Sequence, residues 1–441
     1  MLPTYRTLDA RIDRLPRSEL RMMQEQRLLA QIKYVYENTP FWRHKFDACG
    51  LLPGDIRSIE DITRIPFCTK QELQADQEEH PPFGSYTASH PTTWHKFVST
   101  SGTTGRPLRR VFSARDWNLV IDRFVRIGTA RPGDIVVILG PVDSLMGPSL
   151  SVDAFGRQGA LVVCAGLYDT RTKVKLIRDL RPTIVTGTAS YLLHIAEVAE
   201  SMGVDFSTLG IRSISSVGEP GAAILETRER LQKKWGCLVG DGYGLTEIFS
   251  LGGNCRFSSS LHIHDDLVLT EVIDPVTGQP VSPGETGELV YTNLIGDTQP
   301  LLRYRSRDIG RLATDDTCAC GWTVTRIHNG IEGRVDDMIT YHGVNIYPSA
   351  IEACVRRFPE LADEFQIVVE TRGSIPTLIV RAEMRPEIST DIIQMLSRKL
   401  ADELKASIRV TAQVELIPYQ SLPRTDGKAR RVIDNQRKAQ I

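Results

Sequence analysis

Between residues 134 and 236, short apolar runs alternate with amphipathic stretches, and this alternation constrains the fold more than any other feature of the chain. The apolar runs "DIVVILG", "ALVVCAG", "PTIVTG" and "IRSISSVG" each end at a glycine. The stretches between them, such as "TKVKLIRDL" and "AILETRERLQKKW", carry apolar residues at helical spacing. Strands that alternate with helices in this way predict βαβ units and a doubly wound, mostly parallel sheet. We expect "GDGYGLTE" to form a loop beyond the carboxyl end of such a strand.

The sequence changes character twice after this region. Residues 265–315 contain shorter runs separated by turn residues, as in "PVTGQPVSPGETGEL", which predicts an antiparallel sheet or a small barrel. Beyond residue 336, helical and strand-like stretches predict a compact α+β unit. We therefore expect an α/β fold with a large domain at residues 1–335 and a small, mobile C-terminal domain at residues 336–441.

Charge and hydropathy restrict the possible partners. The 441 residues include 53 Lys and Arg against 54 Asp and Glu, a net charge of −1, so no overall basic field favours nucleic acid. No apolar run approaches the ~20 residues of a membrane span, and the N-terminus lacks the apolar segment of a secretory signal. We expect a cytoplasmic protein with neither a nucleic-acid nor a membrane partner. Whether the protein forms a homodimer is left open.

The segment "STSGTTGRP" at residues 99–107 combines glycines with hydroxyl residues. Unobstructed backbone N–H groups and hydroxyl donors suit the oxygens of a polyphosphate. The G-x-x-x-x-G-K-[ST] phosphate-loop pattern is absent, however. Taken alone, the segment therefore fits either a phosphate-binding loop or a flexible β-turn.

Six further motifs follow this segment in a fixed order. They are "VGEP" (217–220), "DGYGLTE" (241–247), "RYRSRDIG" (303–310), "EGRVDD" (332–337), "YHGVNIYPSAIE" (341–352) and "PRTDGKARR" (423–431). The ordered set resembles the adenylate-forming superfamily of acyl-CoA synthetases, luciferases and adenylation domains. It is most similar to the phenylacetate–CoA ligase-like branch of that superfamily, over almost the whole chain.

This resemblance implies an AMP-forming acid–thiol ligase. Such an enzyme uses ATP and Mg²⁺ to convert a carboxylic acid into acyl-AMP with release of pyrophosphate, and then transfers the acyl group to CoA. Two alternatives remain open. The adenylate could be passed to an amine or a carrier-protein thiol, or be used without CoA, or the protein could be a scaffold that has lost activity.

The resemblance also assigns the nucleotide site. Tyr243 corresponds to the residue whose ring lies against adenine, and Asp308 to the acid that binds ribose. The loop that holds the β- and γ-phosphates comprises Thr100, Ser101, Gly102, Thr103, Thr104 and Gly105, followed by Arg106 where the family usually has lysine. The remaining ATP- and AMP-binding positions are Gly218, Glu219, Pro220, Asp241, Gly244, Thr246 and Arg334.

The catalytic residues follow from the same resemblance. Lys428 matches the mobile lysine of the adenylation step, Thr246 contacts the α-phosphate, and Glu247 holds Mg²⁺, for which a carboxylate oxygen is a suitable ligand. Asp336 falls at the hinge of the small domain. Gly343 falls where the backbone borders the tunnel for CoA.

The acyl pocket departs from the pattern of the branch. Val142 and Leu145, with Gly242, line the expected pocket, but the first two replace a tyrosine and a phenylalanine of the phenylacetate enzymes. Asp143, Ser144 and Asp153 add polar character to this region. The substitutions favour a substituted aromatic acid over phenylacetate itself.

A second group of residues has the chemistry of a metal site. Cys318 and Cys320 form a C-x-C-G element, and Cys255 and His262 lie upstream in the antiparallel part. Three thiolates and one imidazole can complete a tetrahedral Zn²⁺ site, with all positions filled by protein, so the zinc would be structural. Members of the branch carry a similar cluster. Free buried cysteines are the alternative, and His264 competes with His262 as the ligand because the two alternate by two.

Overall fold

The computed structural model describes residues 11–100, 106–127, 130–315, 317–341, 344–372, 375–424, 429 and 431–435. Within these residues, no helix combines the length and the apolar character needed to cross a membrane. Packing divides the chain into two compact units. Unit 1 consists of Met1–Leu167 and Gly240–Gly330, and unit 2 consists of Tyr168–Val239 and Ile331–Ile441.

Several of the α-helices begin or end at local capping signals. In the described part of the chain they are α1 (Arg17–Asn38), α2 (Pro40–Ala48), α3 (Lys70–Glu79), α4 (Ala114–Ile127), α5 (Met146–Arg157), α6 (Thr170–Leu180), α7 (Ala189–Ser201), α8 (Leu225–Trp235), α9 (Pro348–Arg356) and α10 (Ile393–Ile408). At the start of α7 the Thr188 side chain accepts a hydrogen bond from the backbone N–H of Tyr191. Gly236, with a φ of 64°, ends α8 in the left-handed conformation that glycine adopts at little cost.

The β-strands are short, with the longer ones near the C-terminus. They are β1 (Trp94–Ser99), β2 (Arg109–Ser113), β3 (Ile135–Ile138), β4 (Leu161–Cys164), β5 (Ile184–Gly187), β6 (Ser213–Val217), β7 (Leu238–Leu245), β8 (Phe249–Cys255), β9 (Ser258–Ile263), β10 (Val268–Ile273), β11 (Gly287–Asn293), β12 (Tyr304–Gly310), β13 (Arg326–Ile327), β14 (Gly333–Arg334), β15 (Ile339–Tyr341), β16 (Val344–Ile346), β17 (Leu361–Arg372), β18 (Ile375–Met384), β19 (Gln413–Ile417) and β20 (Val432–Asp434).

Unit 1 contains both predicted kinds of sheet. Strands β3 and β4 pair in parallel, and α5 forms the crossover between them. Strands β10, β11 and β12 form an antiparallel meander, as expected for residues 265–315. A second antiparallel group pairs β7 with β8, β8 with β9, and β9 with β13. The α/β fold class predicted from the alternation is therefore confirmed.

The N-terminal helices of unit 1 are attached to turns of the same unit by buried side chains. Each bond satisfies a backbone carbonyl that would be costly to bury unpaired. The bonds run from Gln24 Nε2 to Asp265 O (3.1 Å), from Gln31 Nε2 to Gly296 O (3.0 Å) and from Trp42 Nε1 to Pro300 O (3.2 Å). This region therefore fixes the turns on either side of β10 and β11.

Unit 2 contains the parallel pair β5 and β6, joined by α7, and the α+β part at the C-terminus. In that part β17 pairs antiparallel with β18, while β20 and β19 add in parallel on either side. Helices α9 and α10 cover the sheet. Their apolar faces supply a common core that includes Ile351, Cys354, Leu396, Leu400 and Leu404. The spacing of these leucines by four is the helical pattern seen in the sequence.

The segment "GDGYG" was expected to form a loop at the end of a strand, and this expectation is wrong. Residues Gly240 to Gly244 lie within β7, and the chain turns only at residues 246–248. Gly242 and Tyr243 pair with Gly253 and Gly252 of β8. A Cβ at Gly252 would lie 2.0 Å from His262 O, so this glycine permits close contact between β8 and β9. Glycine in this sheet therefore allows strands to approach and does not end a strand.

The predicted domain boundary at residue 336 stays a prediction. The two compact units reflect how the chain packs. Unit 2 contains residues 168–239 as well as the C-terminal part, so its bounds do not test a boundary at residue 336. The division into residues 1–335 and 336–441 concerns which parts move together during the reaction.

Candidate active site

The hairpin of β7 and β8 presents the motif "DGYGLTE". Thr246 and Glu247 lie in its turn, which the hydrogen bond from Ile248 N to Leu245 O (3.1 Å) closes. A Cβ at Gly244 would lie 3.0 Å from Phe249 O, so only glycine fits at the root of this turn without a shift. Asp241 is fixed further down the strand, where its N–H donates to Asn254 Oδ1 at 2.6 Å. The turn is therefore tight and defined by backbone contacts.

Tyr243 and Asp308 lie in hydrogen-bond contact. The phenol of Tyr243 donates to Asp308 Oδ2 at 2.7 Å, and Asp308 N donates to Ser306 Oγ at 3.0 Å. Burial, followed by the charge of Asp308, raises the pKa of Tyr243 well above its ordinary value. Tyr243 is therefore a hydrogen-bond donor throughout the physiological pH range. The two motifs that the sequence assigned to adenine and ribose meet at one place in unit 1.

The arginines that surround Asp308 in the sequence could have neutralised this acid as ion-pair partners. Arg303 instead pairs with Glu271, at 2.9 Å, and Arg305 contacts Glu288. Two of the three neighbouring guanidinium groups are therefore paired with other carboxylates. Asp308 itself is only 5% exposed.

Glu247 contacts a lysine that the sequence did not point to. Lys70 Nζ lies 3.2 Å from Glu247 Oε1, and the Glu247 side chain is only 8% exposed. Lys70 is the first residue of α3, which Thr69 and Glu72 close with a capping box. The buried guanidinium of Arg110 adds further positive charge: burial lowers the pKa of Arg110, and Glu247 is among the acids that oppose this shift. The capping box accounts for the start of α3, but no local sequence signal links this helix to residue 247.

The glycine- and hydroxyl-rich segment connects the paired strands β1 and β2. Its root is closed by two hydrogen bonds between Thr100 and Leu108, from Thr100 N to Leu108 O and from Leu108 N to Thr100 Oγ1, both 3.0 Å. Ser101, Gly102, Thr103, Thr104 and Gly105 lie outside the described residues. Arg106, at the position usual for lysine, contacts the exposed carboxylate of Glu78.

The predicted acyl-pocket residues lie in the segment before α5. Val142 and Leu145 are both half-buried, whereas Gly242 lies on β7. Polar residues of this region already have partners. The backbone carbonyl of Ser144 accepts a hydrogen bond from Ser99 N at 2.8 Å, and the hydroxyl groups of Ser144 and Ser99 lie 3.0 Å apart. The Asp153 carboxylate accepts a hydrogen bond from Trp117 Nε1 at 2.7 Å. The segment is thereby joined to the residue that precedes the glycine-rich loop.

Unit 2 carries the remaining site residues. Gly218, with a φ of 93°, follows β6, and Pro220 begins a short 3-10 turn. The Glu219 carboxylate accepts from Ser190 N at 2.5 Å and from Ala429 N at 3.3 Å. Arg334 pairs with Asp336 at 3.0 Å. Gly343 and Lys428 lie outside the described residues.

Four predicted metal ligands come together in unit 1. The ligand atoms of Cys255, His262, Cys318 and Cys320 all lie within 4.8 Å of one another. Cys255 Sγ is 3.7 Å from Cys318 Sγ, and Cys320 Sγ is 3.4 Å from His262 Nε2. His264 does not belong to this group, because it follows the end of β9.

The pKa shifts differ among the groups of this cluster. Burial, and then the neighbouring thiols of Cys318 and Cys255, raises the pKa of Cys320 to about 12. Burial, and then the charge of Arg326, lowers the pKa of His262 to about 4, so its imidazole is neutral and has a lone pair to donate. Burial works against ionisation of Cys318, but hydrogen bonds from Cys320 and Cys255 outweigh it and leave the pKa of that thiol below its ordinary value. Three sulfurs and one nitrogen are the donor set of a structural zinc site.

Comparisons with known proteins agree with this geometry. Residues 53–293 match the AMP-binding enzyme family, and residues 343–436 match the AMP-binding enzyme C-terminal domain. The chain is 32% identical over 453 residues to phenylacetate-coenzyme A ligase of Thermus thermophilus, covering 96% of this chain and 98% of that protein.

Solved structures extend the similarity to the fold. The crystal structure of 2-hydroxyisobutyryl-CoA ligase in the postadenylation state, in complex with R3-HIB-AMP, aligns with a TM-score of 0.91 at 30% identity, covering 98% of this chain and 92% of that one. The same ligase with 2-HIB-AMP and CoA in the thioesterification state aligns with a TM-score of 0.72 at 31% identity, covering 96% and 91%.

The chain belongs to the AMP-binding enzyme family, in its phenylacetate–CoA ligase-like branch. It is an AMP-forming acid–thiol ligase, which activates a carboxylic acid with ATP and transfers the acyl group to CoA. The resemblance and the enzyme class predicted from the ordered motifs are thereby confirmed.

Proposed function

We propose that the hairpin of β7 and β8, together with β12, binds the nucleotide of this ligase. Tyr243 places its ring against adenine, and Asp308 accepts hydrogen bonds from the ribose hydroxyls. The 2.7 Å contact between these two residues carries the proposal, because it unites motifs 65 residues apart in one unit. Asp241 and Gly244 shape the strand around Tyr243.

The phosphates are proposed to lie at two turns of unit 1. Thr100 and the following residues to Gly105 hold the β- and γ-phosphates, supported by the paired root of β1 and β2. Thr246, in the turn after β7, contacts the α-phosphate. Gly218, Pro220 and Arg334, which belong to unit 2, keep the nucleotide-binding role that the resemblance implies for them.

Glu247 is the proposed ligand of Mg²⁺. The fit rests on its carboxylate oxygen, which is nearly buried and already contacts the cation of Lys70 at 3.2 Å. A divalent ion bound there would neutralise charge on the phosphates. The Glu247 side chain would hold this position through the tight turn of residues 246–248.

In the first half-reaction, the carboxylate oxygen of the acid bonds to the α-phosphorus of ATP, and the bond to the β-phosphate oxygen breaks with release of pyrophosphate. The acid is already ionised at neutral pH, so no general base is needed. Lys428 is the proposed cation that stabilises the developing negative charge. Positioning and charge neutralisation account for the step.

In the second half-reaction, the sulfur of CoA bonds to the acyl carbon, AMP leaves and the thiol proton is released. The small domain at residues 336–441 is proposed to turn at Asp336 between the two steps, which removes Lys428. Gly343 would then border the tunnel for the pantetheine arm, where the lack of a side chain leaves room.

The acid is proposed to be a substituted aromatic acid. Val142 and Leu145 are aliphatic and half-buried, and they leave space where the branch has larger rings. Nearby polar groups of Asp143 and Ser144 favour a substrate with a hydroxyl or amino substituent.

The cluster of Cys255, His262, Cys318 and Cys320 is proposed to hold a structural Zn²⁺. The donor set fits, because three thiols and a neutral imidazole lie within 4.8 Å of one another. The four protein ligands would fill the coordination sphere, so the cluster would stabilise β8, β9 and the segment of Cys318 and Cys320 and take no part in acyl transfer.

An acid-dependent ATP–pyrophosphate exchange assay tests the proposed function. Purified protein with Mg²⁺ is offered phenylacetate, benzoates with hydroxyl or amino groups, and short 2-hydroxy acids. We expect exchange with a substituted aromatic acid, and an acyl-CoA product detected by mass when CoA is added. Exchange only with short 2-hydroxy acids would refute the proposed acid. Absence of exchange with every acid would refute the proposed activity.

A further inference from the structure

Glu219 makes contacts that a residue lining the adenine site does not need. Its side chain extends from the turn after β6 and bridges two separate segments of unit 2. One carboxylate oxygen accepts from Ser190 N at 2.5 Å, and the other accepts from Ala429 N at 3.3 Å. The first contact is at the start of α7, and the second is on the residue that directly follows Lys428.

The contact with α7 fixes the orientation of the carboxylate. Ser190 is the second residue of that helix, so its N–H belongs to the unpaired N-terminal group that favours a negative charge. Because one oxygen is held in this way, the other points in a defined direction. Glu219 therefore presents a preset acceptor to the chain that follows Lys428.

The described residues Arg424 and Arg431, which lie on either side of residue 428 in the sequence, are also anchored within the C-terminal part itself. Before it, Arg424 contacts both oxygens of the fully buried Glu383, at 2.6 and 2.7 Å. After it, Arg431 lies 3.3 Å from Glu364 Oε2 and 4.2 Å from the ring centre of Phe365. All three of these partners belong to β17 and β18. These contacts would persist if residues 336–441 moved as one body.

Two hydrogen bonds in the described part of the chain join the vicinity of residue 428 to residues 168–239. They are the bond from Ala429 N to Glu219 and the bond from Arg431 Nη2 to Ser190 Oγ at 3.4 Å. Both must break when the small domain turns at Asp336. The first of them has a charged carboxylate acceptor and holds the backbone of Ala429, so it is the stronger of the two.

We propose that Glu219 is a positioning residue for the adenylation step, acting as a latch on the backbone N–H of Ala429, the residue that follows Lys428 in the sequence. This inference rests on the proposed function of Lys428. It gives Glu219 a role in one half-reaction only. An adenine contact, in contrast, would serve both half-reactions, because acyl-AMP keeps the adenine.

The test compares Glu219→Gln with the wild-type protein in the two half-reactions. Glutamine has the same size but offers one carbonyl oxygen, so only one of the two N–H groups keeps an acceptor. We expect acid-dependent ATP–pyrophosphate exchange to fall about tenfold, the effect of losing one charge-assisted hydrogen bond. We expect thioester formation from supplied acyl-AMP and CoA to stay unchanged. Equal losses in both steps, or no loss in either, would overturn the latch.

A second measurement does not depend on activity. Trypsin cleaves after Lys428, and the peptide N–H at this bond is the one that Glu219 holds. Without substrates, we expect cleavage at this bond, followed by mass spectrometry, to be several-fold faster in Glu219→Gln, because local opening becomes easier. Unchanged cleavage would also overturn the latch.

Two controls separate the latch from a general effect of charge removal and from the role of the lysine. Glu200→Gln changes an exposed acid of α7 whose partner, Lys234, lies in the same part of the chain, so it should behave as wild type. If wild-type protein shows no exchange while Glu219→Gln still speeds cleavage, the proposed function fails and the latch contact stands. If Lys428→Ala keeps full exchange, the role of the lysine fails.

Discussion

The phenol of Tyr243 donates a 2.7 Å hydrogen bond to the carboxylate of Asp308, joining β7 to β12 in unit 1. Both side chains belong to motifs that the sequence assigns to the same nucleotide, one to adenine and one to ribose. The bond gives the buried carboxylate a partner within the protein. In the proposed site it would also hold the carboxylate in place for the ribose hydroxyls, so that the two residues would act as one binding element.

Substitutions of this pair should affect ATP binding unequally. We expect Asp308→Asn to raise the KM for ATP about tenfold, because hydrogen bonds to a charged acceptor are lost. Tyr243→Phe should raise it about threefold, because only one of the contacts of Asp308 is removed. Steady-state kinetics with varied ATP provide the measurement. Tyr36→Phe removes an exposed tyrosine–aspartate bond of 3.0 Å and is the matched control. An unchanged KM in Asp308→Asn would contradict the ribose assignment.

The ion pair of Lys70 and Glu247 predicts competition with Mg²⁺. Both cations are drawn to the same carboxylate, so Lys70→Met should lower the half-saturating Mg²⁺ concentration about threefold, the scale of a partly exposed ion pair. Glu247→Gln should raise that concentration more than about tenfold, since a charged ligand is lost. Activity titrated with Mg²⁺ measures both. Lys33→Met, which alters an exposed pair with Glu37, should have no effect. A normal Mg²⁺ requirement in Glu247→Gln would show that the metal binds elsewhere.

The cysteine cluster predicts bound zinc and a stability that depends on it. Metal analysis of the purified protein should find about one zinc per chain, and a chelator should lower the Tm by at least about 5 °C. Cys320→Ser should reproduce the loss of both metal and stability. Cys164→Ser changes an exposed cysteine and should leave both unchanged. Protein that contains no zinc yet has the same Tm with and without chelator would refute the site.

Glu197 on α7 predicts a loss of stability as the pH rises. Burial, and then the charge of Asp363, raises its pKa from 4.5 to about 8. A carboxyl group with a raised pKa holds its proton more tightly in the folded state. Its contribution to stability is therefore complete below pH 4.5 and is lost as the pH rises to about 8.

The measurement is the Tm as a function of pH. Glu197→Gln should show a smaller fall in Tm between about pH 5 and pH 8.5, because its amide carries no titrating proton. Glu200→Gln, an exposed neighbour on the same helix, should follow the wild-type curve. A variant curve parallel to that of the wild type would assign the pH dependence to other groups.

The sequence predicted those parts of the molecule that depend on local patterns. Alternating apolar runs gave the parallel pairs β3–β4 and β5–β6, and the leucines of α10 gave its buried face. The motifs were recognised because each carries its own chemistry within a few residues. Cys255, His262, Cys318 and Cys320 could be grouped for the same reason, since thiolates and imidazoles are the ligands that a structural zinc takes.

Local sequence patterns did not predict the features that depend on contacts between strands distant in the sequence. The glycines at 242 and 244 suggested a loop, yet both lie in β7. At Gly244 a Cβ would lie 3.0 Å from Phe249 O, so close contact with β8 favours a residue without a side chain there. His264 could not be separated from His262 until the end of β9 placed it outside the cluster. Both outcomes depend on contacts between strands, which no single window of sequence contains.

By itself, the sequence determined the family, the reaction class and the residue types that can bind a nucleotide, because these depend on the chemistry and the order of side chains along the chain. Only the tertiary structure decided which of these residues touch. Tyr243 meets Asp308, Lys70 meets Glu247, and Glu219 meets Ala429. Such pairings depend on how separate elements pack, and packing is set by the whole chain.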